Sequence, residues 1–166
     1  MLKLVPVLLV AAAATGCGSA TTSPTTTTTA PPPDPAAAVG GGETLYQGGA
    51  WAVVVKGDSA VALHLVGGEW EPDRSGKVKV SFLAPKGTVA PISQVAAELS
   101  ARTSLVESGL WIDGAELLEK GGGLTTKRGT IYGAPSSALA RGKHLAIAYA
   151  RTATAATAVA RVFHVG

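Results

Sequence analysis

The chain has 166 residues, one cysteine, 46% apolar and 15% charged residues, and a formal charge of +3. One cysteine excludes an internal disulfide framework, and basic residues with no run longer than Lys127-Arg128 exclude the basic stripe of a nucleic-acid binder. The apolar content permits one domain held by its own core.

Lys3 precedes an uncharged apolar run from Leu4 to Gly16. A basic start, an apolar stretch and a small-residue exit read as a secretory signal peptide over residues 1–16. The run is shorter than the roughly 20 residues that span a bilayer. Cys17 follows at once, and Ala14-Thr15-Gly16-Cys17 resembles the lipobox of bacterial lipoproteins. The resemblance implies export, lipidation of Cys17 and residence on the outer face of the cell membrane. Two or three acyl chains would anchor stably, since each buried methylene contributes about 0.8 kcal/mol. The alternative is ordinary cleavage after Ala14 or Ala20, leaving a soluble exported protein. Loss of Lys3 takes the side-chain charge from +3 to +2.

Residues 17–43 are rich in Thr, Pro and Gly, including Thr25 to Thr29, Pro31-Pro32-Pro33 and Gly40-Gly41-Gly42. With no apolar pattern to bury, they read as a disordered tether. At about 3.1 Å per residue it would reach roughly 80 Å, either as a plain spacer or as a glycosylated stalk.

The domain is expected over 44–166. Ala50 to Lys56 and Ala60 to Val66 are apolar runs joined by Gly57-Asp58-Ser59, a hairpin pattern. Glu69 to Gly76 reads as turn chemistry around Trp70. Lys77 to Leu83 alternates, with Val78, Val80 and Phe82 on one face. Gln94 to Ala101 fits helix or strand, and Pro91 with its β-type neighbours favours strand. Asp113-Gly114 between apolar runs predicts a type I′ hairpin turn. Gly121-Gly122-Gly123 reads as a loop, Thr130 to Tyr132 as a strand, and Ser136 to Ala140 as one helical turn. His144 to Arg151 alternates with Leu145, Ile147 and Tyr149 on one face. Thr152 to Thr157 reads as a loop, and Ala158 to Val165 as the last strand.

Short strands punctuated by turns predict an all-β sandwich. The later part, from about residue 83 to 166, resembles bacterial immunoglobulin-like modules. The resemblance is carried by Pro85-Lys86-Gly87, Trp111-Ile112-Asp113-Gly114, Thr130-Ile131-Tyr132 with Pro135 and Leu139, Gly142-Lys143-His144 and Phe163-His164-Val165. It implies an immunoglobulin-like (fibronectin III-like) β-sandwich. Residues 44–82 either add strands to that sandwich or pack on it as a layer. One composite domain is preferred, because about 40 residues alone rarely bury enough surface to be stable.

No catalytic motif is present. Gly57-Asp58-Ser59-Ala60-Val61 lacks the second glycine of a nucleophile elbow, and Gly142-Lys143 is no phosphate loop. His64, His144 and His164 lack metal-ligand spacing, so no metal and no cofactor are expected. Glu69/Glu71 and Glu116/Glu119 read as solvated carboxylates rather than an acid/base pair. Trp51 and Trp111 read as core. Trp70, among Glu69, Glu71 and Pro72, is either a strand-edge plug or an exposed contact for a ligand or partner. Arg161 falls in an apolar phase, so it must be paired or reach the sheet edge. The expectation is a non-enzymatic envelope lipoprotein whose domain contacts an envelope protein. The alternative is a glycan or peptidoglycan binder that uses exposed aromatics on cell-wall polymer.

Overall fold

A computed structural model describes residues 31–166, except 92–93, 118–119 and 123–125. The expected signal peptide, Cys17 and tether residues up to 30 lie outside the described residues. The short turn α1 (Pro35–Ala38) leads into β1 (Glu43–Gly48), β2 (Trp51–Lys56), β3 (Ser59–Val66) and β4 (Glu69–Pro72). Then follow β5 (Val78–Ala84), β6 (Thr88–Val89), β7 (Val95–Ala101), β8 (Glu107–Ile112) and β9 (Ala115–Glu116). The remaining strands are β10 (Lys120–Gly122), β11 (Arg128–Gly133), β12 (Gly142–Arg151) and β13 (Ala156–Val165).

Three sheets result. β1-β2-β3-β4 form an antiparallel meander, β10-β11-β7-β5 form a second sheet, and β6-β13-β12-β8-β9 form a third. The last two enclose the main core, in which Leu99, Ile131, Leu110, Ala148 and Phe163 meet. β5 pairs with β7 in one sheet, while β6 pairs in parallel with β13 in the other. The chain therefore changes sheets around the buried Pro85. This is an immunoglobulin-like β-sandwich, all-β as the alternation predicted.

The meander is a further layer on that sandwich. It covers the outer face of the β13-β12-β8 sheet through Trp51, Val53 and Ala62, which pack on Trp111, Ile147, Tyr149 and Ala156. β12 is thus buried on both sides. Leu145, Ile147 and Tyr149 face the meander, and Ala146, Ala148 and Ala150 face the sandwich core. β5 belongs to the sandwich, so residues 44–82 are divided between the two bodies.

Close approach of the meander needs space at one glycine in particular. The Trp111 indole lies over Gly109, where a Cβ would fall 2.2 Å from the ring. Arg161, in the core phase of β13, reaches past the sheet edge. Its Nη1 donates to the Phe82 and Pro85 carbonyls at 3.2 and 3.4 Å, and the guanidinium lies 5.2 Å from the Phe82 ring centre. That satisfies the charge and two carbonyls where the chain changes sheets.

Several local expectations are corrected. The compact unit begins at Pro31, so residues 31–43 belong to the folded body and not to the tether. Glu69–Pro72 is a strand, because Gly67 and Gly68 (φ +61° and +93°) make the turn one step earlier. Lys120–Gly122 pairs with β11 instead of forming a loop, and Gly123 lies outside the described residues. Ser136 to Ala140 forms no helical turn. The Leu139 N–H donates to Pro91 O at 2.8 Å and Ala140 O faces His144, so these groups are spent on tertiary partners. The loop at Thr152 is tighter than expected. The Thr152 hydroxyl accepts from Ala155 N at 3.1 Å, and β13 starts at Ala156.

Gly109→Ala should destabilise the protein by about 1–3 kcal/mol, since the new methyl must displace a packed indole. The measurement is the urea midpoint at constant m-value. An unchanged midpoint would mean that Trp111 can move aside without loss.

Candidate functional site

One end of the sandwich carries the most elaborate polar geometry. Asp113 has φ +49° and Gly114 φ +83°, the backbone of the predicted type I′ turn between β8 and β9. That backbone aims the Asp113 carboxylate at β12. Its Oδ1 accepts from Leu145 N at 2.8 Å, and its Oδ2 accepts from His144 Nδ1 at 2.6 Å. The other ring nitrogen of His144 meets Ala140 O at 2.8 Å. A turn, a central strand and the β11–β12 connection are thereby joined at one imidazole. Both ring nitrogens face acceptors, which favours the doubly protonated ring. The bond to Asp113 and the bond to Ala140 raise the His144 pKa above its usual value, against the effect of burial.

Beside this node lies a groove of about 780 Å³, in the range of ligand and peptide sites. Ile112, Ala115, Leu117, Pro135 and Leu139 supply apolar lining, and Asp113, Glu116, Gln94 and Tyr132 supply polar edges. Ser136 and Ser137 also line it, and both His144 ring nitrogens are engaged elsewhere, by the Asp113 carboxylate and the Ala140 carbonyl. The arrangement suits binding: a preformed wall, apolar lining and a carboxylate edge.

A second polar cluster seals the contact between meander and sandwich. The Tyr46 hydroxyl donates to Glu107 Oε1 at 2.6 Å, and Arg151 Nε donates to Glu107 Oε2. Burial and the neighbouring Glu107 push the Tyr46 pKa up to about 12. Asp73 ties the end of the meander to β13, accepting from Ala156 N at 2.6 Å and from Ser75 N at 2.7 Å. Burial would raise its pKa, but these backbone bonds outweigh that and hold it below the usual value.

The residues singled out from sequence are distributed as follows. Cys17 lies outside the described residues. Trp70 is corrected as an exposed contact: it is 6% exposed, in a cluster with Ala36, Ala52, Val54 and Leu63. Its indole Nε1 donates to Pro33 O at 2.6 Å. The covering segment, residues 33–39, reads as tether from its Pro- and Ala-rich sequence, so the burial of Trp70 is not legible there. Trp51 and Trp111 are core, at 5% and 3% exposure. His64 stacks on Trp51 with ring centres 4.1 Å apart. Among the described residues no group of His, Cys, Asp and Glu could hold a metal ion. Glu119 lies outside the described residues.

The role of Asp113 beyond its turn was missed. Its signal is an acidic turn residue together with Gly142-Lys143-His144, but nothing in the spacing of 31 residues between Asp113 and His144 shows contact. No family model matches the chain, and no curated protein matches it.

The raised pKa makes His144 stabilising where it is protonated. Its contribution is full below the unfolded value near pH 6.5 and is lost as pH rises through the higher folded value. Asp113→Asn keeps the turn, because Asn suits positive φ, but removes the charge. Stability measured by chemical denaturation from pH 5 to 9 should fall above pH 6.5 in the wild type. The fall should be smaller in Asp113→Asn. Equal slopes in both proteins would remove His144 from the account.

Proposed function

We propose that this chain is a non-enzymatic lipoprotein of the cell envelope, held by lipid on Cys17, that presents an immunoglobulin-like domain for interaction with an envelope protein. The groove beside Asp113 is the observation that carries the interaction reading. It pairs apolar lining with a carboxylate edge, and its wall is fixed by the His144 node. The apolar run before Cys17 supports the anchor, and the motifs from Pro85 to Val165 support the likeness to bacterial immunoglobulin-like modules.

The body begins at Pro31, so 13 residues separate it from Cys17. Fully extended at about 3.1 Å per residue they reach roughly 40 Å, half the distance expected from sequence. The domain on this reading works close to the membrane. The glycan alternative relies on exposed aromatic faces, and among the described residues no Trp, Tyr or Phe is fully exposed. We therefore place the contact at the groove.

Cys17→Ser should move the protein from the membrane fraction to the soluble exported fraction. Retention of the variant in membranes would sink the lipid anchor. Crosslinking on intact cells should recover one defined protein with the wild type and lose it with the double variant Glu116→Lys, Leu139→Asp. Recovery of wall polymer alone, unchanged by the double variant, would favour glycan binding instead.

A further inference from the structure

The meander has a second face, turned away from the sandwich. Ala52, Val54, Leu63 and Trp70 form an apolar surface there, and residues 33–39 cover it as a strap. Pro35 and Ala36 are the buried residues of the strap. Its backbone hydrogen bonds close within the turn, as in Ala37 N to Asp34 O at 3.2 Å and Gly41 N to Ala36 O at 2.9 Å. The strap is therefore attached as a ligand is, through the Pro35, Ala36 and Val39 side chains and the Trp70 N–H donating to a proline carbonyl. Lys56 Nζ adds exposed bonds to Val39 O and Gly40 O at 3.0 and 3.1 Å.

That mode has a chemical meaning. The Pro33 carbonyl lies ahead of the turn whose internal hydrogen bonds begin at Asp34 O, so it is available to the Trp70 donor. Within the run Pro31-Pro32-Pro33-Asp34-Pro35, the Pro33 carbonyl oxygen meets the Trp70 indole N–H. The strap is joined to β1 by Gly40, Gly41 and Gly42, with φ of +74°, +104° and +128°. These are conformations that other residues rarely adopt; a Cβ at Gly41 would meet open space, while Gly42 packs on the Val55 carbonyl. A segment held by few contacts and joined through glycines can exchange with the same segment of another molecule.

We propose that the Trp70 face is a docking site for a proline-rich segment, filled in cis by the strap, and that its occupant in trans is the strap of a second copy of this chain. The proposal is independent of the lipid anchor and of the groove beside Asp113. In the wild type the attached strap competes at an effective concentration in the millimolar range. The test therefore uses a full-length chain whose own strap is evicted. Ala36→Asp places a charge in the buried contact and leaves the meander intact.

The probe is a synthetic peptide of residues 30–40, and the readout is the Trp70 indole N–H resonance. In Ala36→Asp that resonance should shift to a free position, and the peptide should restore it with saturation. A peptide carrying Ala36→Asp should not restore it. Phe in place of Trp70, added to the evicted chain, should weaken peptide binding about tenfold, read by titration of backbone amides, because one hydrogen bond is lost. Failure of the peptide to bind a folded Ala36→Asp chain would overturn the docking site. Global unfolding of Ala36→Asp would overturn it too, by making the strap an inseparable part of the core. Sedimentation of concentrated wild type should show a dimer that Ala36→Asp lacks. A strictly monomeric wild type would overturn the second copy as the occupant.

Discussion

Burial of β12 on both faces is the constraint on which the rest depends. An antiparallel strand in a two-sheet sandwich normally turns one face to solvent. Here the solvent side of β12 is the seat of the meander. Large side chains fill that side and alanines fill the other. β13 repeats the division, with Ala156, Ala158 and Ala160 toward the meander and Phe163 and Val165 toward the sandwich core. Small residues alternate with large ones wherever sheets must approach from two directions. Trp111 and Gly109 are one such pair within a single strand. A four-stranded meander of about 30 residues could not stand alone at this size, and the exposed Trp111 face could not stand without it.

Polar groups work at the margins of these apolar layers. Glu107 lies between Tyr46 and Arg151 where the meander meets the sandwich, so neither hydroxyl nor guanidinium is buried alone. Asp73 satisfies the first N–H of β13, and Arg161 satisfies two carbonyls where the chain changes sheets. By contrast, the exposed Lys143–Asp58 pair at 2.7 Å contributes little, since solvent screens it. The partly buried pairs matter more because an unpaired partner would be costly there. They fix the direction in which each layer lies on the next.

Two surfaces then remain for recognition, on different bodies of the fold. One is the groove whose wall is held by Asp113 and His144. The other is the Trp70 face beneath the strap. They differ in physical kind. The groove is open, with carboxylates at its edge, and suits a partner with apolar and basic groups. The strap face is occupied by part of the chain itself, so its availability is set by a competition within the molecule. Placing this strap between the anchor proposed at Cys17 and the body would couple attachment to availability of that face.

Local chemistry was sufficient for much of the secondary structure. Alternation placed Lys77 to Leu83 in a strand, Pro91 and β-type neighbours favoured a strand over Gln94 to Ala101, and Asp113-Gly114 set a hairpin turn, because period and turn preference act over a few residues. The all-β class and the sandwich followed from those local signals. Other features depended on contacts far along the chain. Nothing local shows that the alanines of β12 face a core, that Asp113 holds His144, or that a Pro-Ala segment seals Trp70. Proline-rich sequence reads as tether when its burial partner is 37 residues away. The sequence by itself determined strands, turns and the candidate export signal. Only the tertiary structure decided which face of each strand was covered, because burial is a property of the partner surface.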